Sequence, residues 1–393
     1  MDSALRLGLF YAAVFIGSGA SAPYMPVWFR VHGLTGAEIG LLLSAPMLAR
    51  AITGPALAVW ADGFELRRSP LVVMLFVATL AYAAIAFLHG YLAWVACWFI
   101  ATTLLSTVSP LTDVLALRRA AREQFNYGWP RGIGSAAYIV GNVGAGFLLA
   151  RMGANVVLVW TVVAALLATG AAIFLVPSEP VHETGERTVG RERWRGLGGL
   201  LRDKEFMLAA FTVGAIQATH AFYYGFSALV WRKQGISEGM VGLLWGFGVA
   251  VEIGFLWFLE PWRRRIGPER LLLLGGLGAV VRWGAFAFSP PVWLLFPLQA
   301  LHTLTFTATF LAGLQLIQRI APPQSASAAQ TVSSALSGGL LIGLATLASG
   351  ALFDAVGAKG YLAMAALAAF GLIGAAHFAR MNPPERSGVV NLE

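Results

Sequence analysis

The segment RVHGLTGAEIGLL at residues 30–42 returns, 202 residues later, as RKQGISEGMVGLL at residues 232–244. The arginine that opens each copy is identical, as are two glycines and the closing Leu-Leu pair. In the same register Arg50 lies opposite Glu252, and near an offset of 200 residues 111–119 resemble 311–319. Several matches in the same order indicate one structural unit used twice. A site shared by the two copies is expected between them.

Composition excludes an ordinary soluble domain. Of the 393 residues, 58% are hydrophobic and 12% charged, and the mean hydropathy is +0.72, whereas soluble domains carry roughly a quarter charged residues. The single cysteine, Cys97, permits neither an internal disulfide nor a cysteine metal cluster. Neither a phosphate-binding loop nor a metal-ligand motif is found, so we expect no cofactor, no metal and no catalytic residues.

Polar breaks divide the chain into twelve apolar runs. A bilayer core of ~30 Å needs about 20 apolar residues per helix, and these runs meet that length. The sequence therefore predicts an all-α membrane protein with twelve transmembrane helices. The predicted spans are 5–29, 38–61, 70–88, 91–118, 129–150, 154–176, 205–231, 238–259, 270–289, 292–318, 326–353 and 359–379.

The basic residues predict the orientation. Of 27 Lys and Arg residues, three lie in the interior of spans. The others lie in loops or at span ends, five of them opposite the N-terminus and 19 on its side. Basic loops face the cytoplasm, so both termini are predicted to be cytoplasmic. The net charge of +8 does not indicate nucleic-acid binding, because the basic residues sit in short loops without interleaved aromatics.

The long polar stretch between spans six and seven divides the chain in two. It alternates Glu with Arg and is typical of a solvated linker. We predict an N-terminal six-helix bundle at 1–176, a cytoplasmic linker at 177–204, and a C-terminal six-helix bundle with a short tail at 205–393. Repeated bundles of this kind are typical of transporters that bind their substrate at the midplane between halves.

Charged groups fall inside the predicted spans. Five unpaired ions there would cost on the order of 12–18 kcal/mol, so they must pair or face water. The ionisable residues within spans are Arg50, Arg131, Arg282, Asp113, Glu252, His220 and His302.

Hairpin geometry predicts one pairing and places a second pair of residues at comparable depth. Asp113 and Arg131 lie equally far from the connection between spans four and five, and Arg282 and His302 lie at similar depth around prolines 290–291. For Asp113 and Arg131 a functional role is favoured over packing, because ions within a membrane are functional by default. For Arg50, ligand contact and pairing with a neighbouring helix both stay open, and for His220 a packing role is favoured.

The interior charges favour an anionic ligand. Three arginines against two carboxylates leave one positive charge in excess, and protonating a carboxylate increases it. Such a site can couple a proton to an anion. Aromatic side chains on several spans can line the same cavity, although each alone is also typical of packing. They are Tyr11, Tyr223, Tyr224, Trp245, Trp283 and Phe306.

The stretch AVWADGFELRR at 58–68 resembles the loop motif of the major facilitator superfamily. It keeps Asp62, Arg67 and Arg68, with Ala58 in place of the usual glycine. The resemblance implies the superfamily fold of two six-helix bundles and a conformational role for this loop.

Other stretches resemble the bacterial 3-phenylpropionate permease family, whose members look like relatives of lactose permease. They include 40–50, PLTD at 110–113, YYGFSA at 223–228, RWG at 282–284 and LH at 301–302. The resemblance implies a proton symporter of the bacterial inner membrane. Asp113 and Arg131 have the spacing of the carboxylate and arginine that hold the sugar in lactose permease, and they are the predicted substrate pair.

The same resemblance implies a proton-handling group. Glu252 resembles a carboxylate of lactose permease on span eight, and Arg282 and His302 match its arginine and histidine. Thr305 stands where that permease has its proton-carrying glutamate, so Glu252 or Asp113 would have to carry the proton.

These observations predict a monomeric, proton-coupled importer of a small organic solute, with an aromatic carboxylate as the leading substrate. A symporter of a neutral sugar or nucleoside is the alternative. Export of drugs or metabolites is less favoured, because GNVGAG at 141–146 lacks the Gly-Pro motif typical of antiporters. A membrane-embedded enzyme is disfavoured for want of a catalytic motif.

Overall fold

The computed structural model describes residues 2–181, 197–322 and 325–381. Most of the predicted linker and the C-terminal tail lie outside these residues. The helices are α1 (Ser3–Val31), α2 (Gly36–Asp62), α3 (Arg68–Phe87), α4 (Tyr91–Glu123), α5 (Gly128–Met152), α6 (Asn155–Phe174), α7 (Leu197–Leu200), α8 (Lys204–Ala218), α9 (His220–Lys233), α10 (Glu238–Phe258), α11 (Glu260–Ile266), α12 (Pro268–Phe286), α13 (Val292–Ala300), α14 (Thr309–Ile320), α15 (Ala326–Ala335), α16 (Ile342–Val356) and α17 (Tyr361–Met381).

The helices confirm the all-α membrane fold and are consistent with twelve spans. Among the described residues, ten helices are long and apolar enough to cross a membrane. The longest, 328–381, contains predicted spans eleven and twelve, separated by a 3-10 turn at Gly357–Gly360. The helix Pro268–Phe286, predicted span nine, is not among the ten, and it carries three charged residues.

Three predicted spans are less regular than expected. Span seven is divided at Thr219 into α8 and α9. Span ten contains a π-helical turn at Thr303–Ala308, and span eleven contains another at Leu336–Leu341. A π turn shifts the register of the helix and is frequent at functional sites. Hydropathy could not predict these irregularities, because they leave composition unchanged.

The repeated segment starts two equivalent helices. The Thr35 hydroxyl accepts a hydrogen bond from the backbone N–H of Glu38, and the Glu38 carboxylate accepts one from the backbone N–H of Thr35. The two bonds form a capping box at the start of α2. In the second copy, Ser237 caps α10 by accepting from the N–H of Met240. We call the side on which α1 begins the N-terminal side, and the other the opposite side.

The first copy holds α2 against α16. A Cβ atom added at Gly40 would lie 3.0 Å from the backbone of Gly350, so the two helices approach backbone to backbone. The Asp354 carboxylate accepts from the N–H of Gly36 at 2.9 Å, and Arg30 lies 3.6 Å from it. An anion at a helix N-terminus is stabilised by the helix dipole.

The second copy holds α10 against α5 in the same way. A Cβ atom added at Gly242 would lie 2.5 Å from the backbone oxygen of Asn142. The Tyr24 hydroxyl of α1 lies 3.2 Å from that oxygen and 3.0 Å from the backbone oxygen of Glu238. We call the α2–α16 and α5–α10 contacts together the opposite-side seal. Each copy of the repeated segment supplies one of these two contacts, which explains why the segment occurs twice.

The start of the predicted linker is fixed to the loop before α3. The backbone N–H of Arg67 donates to the backbone carbonyl oxygen of Glu179 at 2.8 Å. The Arg67 guanidinium donates to the backbone carbonyl oxygen of Val181 at 2.6 Å. The buried Glu179 carboxylate forms an ion pair with Arg119 of α4. Arg67 of the predicted loop motif therefore joins the linker to the N-terminal helices.

We predict that Gly40→Leu combined with Gly242→Leu prevents closure of the opposite-side seal, because both side chains would overlap a facing backbone. Overpacking of this kind costs about 1–3 kcal/mol. The labelling is done in a protein that also carries Cys97→Ala and Ala22→Cys, which places one cysteine in the cavity. An impermeant maleimide added outside intact cells should label that cysteine faster than it does when Gly40 and Gly242 are unchanged.

The matched control is Gly54→Leu, which is also on α2 but has no neighbouring atom within 4 Å of an added Cβ. Equal labelling rates in the control and the double variant would show that these glycines do not set the seal.

Candidate functional site

A cavity of about 550 Å³ lies between the N-terminal and C-terminal helices. On the helices that form the seal, the cavity residues lie on its N-terminal side, as Met47 and Arg50 do relative to Gly40 on α2. The cavity is therefore closed on the opposite side. Its polar and aromatic lining residues are Ser18, Ser21, Arg50, Tyr82, Trp98, Thr102, Ser106, Tyr138, Tyr223, Tyr224, Trp245, Glu252, His302, Phe306 and Thr346.

Arg50 and Glu252 enter this cavity from equivalent helices, as their register in the repeat suggests. Arg50 is exposed, and within the part of the chain that the structure describes it forms no ion pair. Of the two possibilities that the sequence left open for Arg50, ligand contact is the one that this placement favours. A guanidinium can bind a carboxylate through two parallel N–H donors.

The C-terminal half supplies an aromatic wall. The rings of Tyr223 and Trp245 are stacked with centroids 4.6 Å apart, and Phe306 stacks on His302 at 5.3 Å. The Trp245 indole N–H donates to Ser227 at 3.1 Å, which fixes the ring. Such a wall can hold a flat apolar group.

Behind this wall lies Arg282, which is fully buried. Its guanidinium donates to Gln299 Oε1 at 2.6 Å, to His302 Nδ1 at 3.1 Å and to Thr305 Oγ1 at 3.2 Å. Arg282 and His302, which the sequence places at comparable depth, are therefore in direct contact. The charged group also lies over the Tyr223 ring, 4.8 Å from its centroid, where the π face attracts a cation.

The direction of each hydrogen bond in this network can be deduced. His220 Nδ1 lies 3.0 Å from the Gln217 carbonyl oxygen, which only accepts, so Nδ1 carries the proton. In a neutral imidazole, Nε2 then accepts from the Thr305 hydroxyl at 3.0 Å, the nearer of two acceptors for that proton, since the His302 carbonyl oxygen lies at 3.2 Å. Thr305 in turn accepts from Arg282. His220, which the sequence suggested was a packing residue, is therefore part of the buried network. Only the fold could show this, because His220 and Thr305 are far apart in sequence.

The same reasoning fixes the form of His302. A guanidinium only donates, so His302 Nδ1 accepts and its proton lies on Nε2. That Nε2 is 3.8 Å from Glu252 Oε2. A second proton on His302 would point an N–H at Arg282. Of these two residues, Glu252 is therefore the better acceptor for an added proton.

Asp113 and Arg131 lie together but outside the residues that line the main cavity. The predicted pair is present, with Arg131 Nε 3.8 Å from Asp113 Oδ1. Two tyrosine hydroxyls lie closer to that oxygen and donate to it, Tyr11 at 2.5 Å and Tyr127 at 2.8 Å. The Arg131 guanidinium stacks over the Phe15 ring at 4.4 Å. The carboxylate is thus bound mainly by tyrosines.

Other predicted site residues are also placed by the structure. Tyr223, Tyr224, Trp245 and Phe306 line the cavity, as expected. Trp283 does not, because it is fully buried and its N–H donates to Thr219 at 2.7 Å.

In the predicted loop motif, Asp62 ends α2 and Arg68 begins α3. Sequence reasoning missed Tyr138, Tyr82 and the serine and threonine residues of the N-terminal wall. Their only sequence signal is a polar residue within an apolar run.

A family model described as "MFS_1 like family" matches residues 4–363. The chain belongs to this family. This MFS_1 like protein is a secondary transporter of the major facilitator type, a multi-pass membrane protein that moves a small molecule, and not an enzyme. The resemblance seen in the sequence is confirmed.

Curated relatives of this transporter carry different substrate names. It is 31% identical over 375 residues to the "Probable 3-phenylpropionic acid transporter" of Escherichia coli (strain K12), covering 94% of this chain and 96% of the relative. It is 29% identical over 353 residues to the "Maltose permease" of Geobacillus stearothermophilus, covering 88% and 86%.

Solved structures confirm the fold. The nucleoside transporter NupG superposes with a TM-score of 0.80 at 14% identity, covering 98% of this chain and 100% of NupG. A bacterial homologue of the lysosomal transporter Spinster, inward-facing and unoccupied, gives a TM-score of 0.70 at 16% identity, covering 96% and 97%.

We predict that Tyr11→Phe destabilises the transporter more than Arg131→Gln. Tyr11 is buried and donates to a carboxylate, and a hydrogen bond to a charged group contributes about 1.5–3 kcal/mol. The Asp113–Arg131 contact is longer and about a third exposed, so its contribution should be below about 1 kcal/mol. Unfolding of the purified variants in detergent measures both.

Tyr91→Phe is the control, since the Tyr91 hydroxyl makes only a 3.4 Å contact with the Glu38 oxygen. If Arg131→Gln is the more destabilising change, the ion pair and not the tyrosines holds Asp113.

Proposed function

We propose that this protein takes up a small aromatic carboxylate together with protons across the bacterial inner membrane. The observation that carries the proposal is Arg50, an exposed arginine of the cavity with no ion-pair partner among the described residues. A charge within a membrane protein needs a partner. A substrate carboxylate would be that partner when it occupies the cavity.

The aromatic wall supports the rest of the substrate assignment. Tyr223, Trp245 and Phe306 face the cavity from the half that does not carry Arg50. If the flat ring of a substrate binds to this wall, the carboxylate of the same molecule would be directed toward Arg50. The name of the E. coli relative, a 3-phenylpropionic acid transporter, fits this chemistry.

Proton coupling is proposed from the charges of the C-terminal half. Arg282 is fully buried, and Glu252 lies next to His302, to which Arg282 donates. Protonating Glu252 leaves Arg50 and Arg282 without a compensating acid at the cavity. The resulting positive potential favours binding of an anion, so proton and substrate are stabilised together.

Transport would follow from rocking of the two six-helix bundles, 1–176 and 205–393, about the central cavity. With the termini and the 177–204 linker in the cytoplasm, the opposite-side seal faces outward, and this structure is an inward-facing state. Because the cavity forms within one chain, we propose that the monomer transports.

A neutral nucleoside or sugar is the second candidate. Hydroxyl side chains of the N-terminal wall, such as Ser21, Thr102 and Ser106, suit a hydroxylated substrate. Relatives or structural neighbours include a maltose permease and a nucleoside transporter. Such a substrate has no carboxylate, so it would not need the charge of Arg50.

We predict that Arg50→Lys weakens uptake of radiolabelled 3-phenylpropionate about tenfold or more, although the charge is kept. A lysine cannot reproduce the paired donors of a guanidinium, and one charge-assisted hydrogen bond contributes about 1.5–3 kcal/mol. Initial rates in whole cells, corrected for the amount of protein, measure the effect.

Arg131→Lys is the matched comparison, since Arg131 does not line the cavity. If Arg131→Lys lowers the uptake rate more than Arg50→Lys does, the substrate carboxylate is bound by Arg131 of the Asp113–Arg131 pair and not by Arg50. Uptake of uridine but not of 3-phenylpropionate would favour the nucleoside alternative.

We also predict that 3-phenylpropionate added to energy-depleted cells makes the medium more alkaline, and that Glu252→Gln abolishes this change. The amide cannot carry a proton into the cell. Exchange of labelled for unlabelled substrate should continue in Glu252→Gln, because exchange needs no net proton movement. Asp113→Asn is the control, and alkalinisation that persists in Glu252→Gln but disappears in Asp113→Asn would assign the proton to Asp113.

A further inference from the structure

A small chamber adjoins the main cavity within the N-terminal helices. Its volume is about 20 Å³, enough for one water-sized group. Four of its lining residues also line the main cavity, so the two spaces are in contact there. The shared residues are Ser18, Ser21, Tyr82 and Leu105.

The residues of the deeper chamber walls are small and, apart from Thr161, apolar. They come from α1 and α6, where a Cβ atom added at Gly17 would lie 3.0 Å from Ala164. The other members are Ala13, Val14, Thr161, Ala165 and Ala168. None of the residues that line the chamber is charged, so an ionised group placed there would lose its hydration without a partner.

Three of the four hydroxyl groups that line the chamber have their protons engaged elsewhere, and the fourth belongs to Tyr82. The Ser18 hydroxyl donates to the backbone carbonyl oxygen of Val14 at 3.3 Å, and the Ser21 hydroxyl donates to the backbone carbonyl oxygen of Ser18 at 3.5 Å. Thr161 donates to the Val157 oxygen at 2.8 Å. Each hydroxyl oxygen keeps lone pairs that can accept. The two serines at the chamber entrance therefore favour a neutral donor over a carboxylate or carbonyl oxygen.

We propose that this chamber is a specificity subsite that binds one hydroxyl group carried on the ring of the substrate. The assignment rests on the proposed function, with the carboxylate at Arg50 and the ring against the aromatic wall. The preferred substrate is then a ring-hydroxylated aromatic acid, whose hydroxyl donates to Ser18 or Ser21. The volume of the chamber excludes a larger substituent.

The test compares the dissociation constants of 3-phenylpropionate and its 2-, 3- and 4-hydroxyphenyl counterparts, measured by calorimetry on the purified full-length protein. At least one hydroxylated isomer should bind about threefold to tenfold more tightly than the parent acid, which is the range of one hydrogen bond. The methoxy counterpart of that isomer should lose the advantage, because it has no proton to donate and is larger.

Two variants locate the effect. Ser18→Ala with Ser21→Ala removes the two serine acceptors at the entrance, and Ala164→Val fills the chamber without changing its polarity. In each, the ratio of the two dissociation constants should fall toward one. Ser135→Ala is the matched control, since Ser135 also donates to a helix carbonyl, that of Arg131 at 3.5 Å, but does not line either space. It should keep the wild-type ratio.

The outcomes separate the subsite from the function on which it rests. If the parent acid binds and no hydroxylated isomer binds more tightly, the subsite is wrong and the proposed function stands. A preference that survives in both variants also overturns the assignment. If no aromatic acid binds while a nucleoside or sugar does, the proposed function fails, and the subsite proposal fails with it.

Discussion

The close approach of helix backbones at the opposite-side seal is the contact on which the arrangement of this transporter depends. At Gly40 and Gly242 the facing backbone is so near that a side chain would overlap it. Lipid offers no hydrophobic force to press helices together, so small residues that permit intimate packing are what hold them. The two contacts fix where the halves meet, and the space beyond them becomes the cavity.

The cavity has two chemically different walls. The N-terminal helices contribute Arg50 and hydroxyl groups, whereas the C-terminal helices contribute aromatic rings, Glu252 and His302. A substrate that contacts both walls links the halves through its own bonds. This is the differential contact that a ligand needs in order to shift a conformational equilibrium.

Charged groups within the spans are stabilised in three different ways in this molecule. Arg282 is enclosed by neutral acceptors and aromatic faces, and Asp113 is held by tyrosine hydroxyls. Arg50 instead faces the cavity. A buried ion without hydrogen-bond partners would be too costly to keep, so the first two are stabilised within the protein. Only the third leaves its charge available to a solute.

Much of the fold was predictable because lipid imposes a simple rule. Each span must be an apolar helix of about 20 residues, and the twelve runs of the sequence agree with the observed helices to within a few residues at most boundaries. The repeat of residues 30–42 at 232–244 also indicated equivalent helices and a shared site. The interior ionisable residues were identifiable for the same reason, since a charge stands out in an apolar run.

What the sequence alone determined is therefore the all-α membrane fold, the approximate extent of its spans, the internal repeat and the identity of the charges within the spans. Which of those charges faces the cavity was decided by the tertiary structure. Depth in the membrane follows from position along a helix, and it placed Asp113 level with Arg131 and Arg282 level with His302, in agreement with the structure. The direction in which a side chain points depends on helix rotation and on the register shift of π turns, and neither changes composition. For that physical reason Arg50 lines the cavity, whereas Arg131 and Trp283 lie outside it.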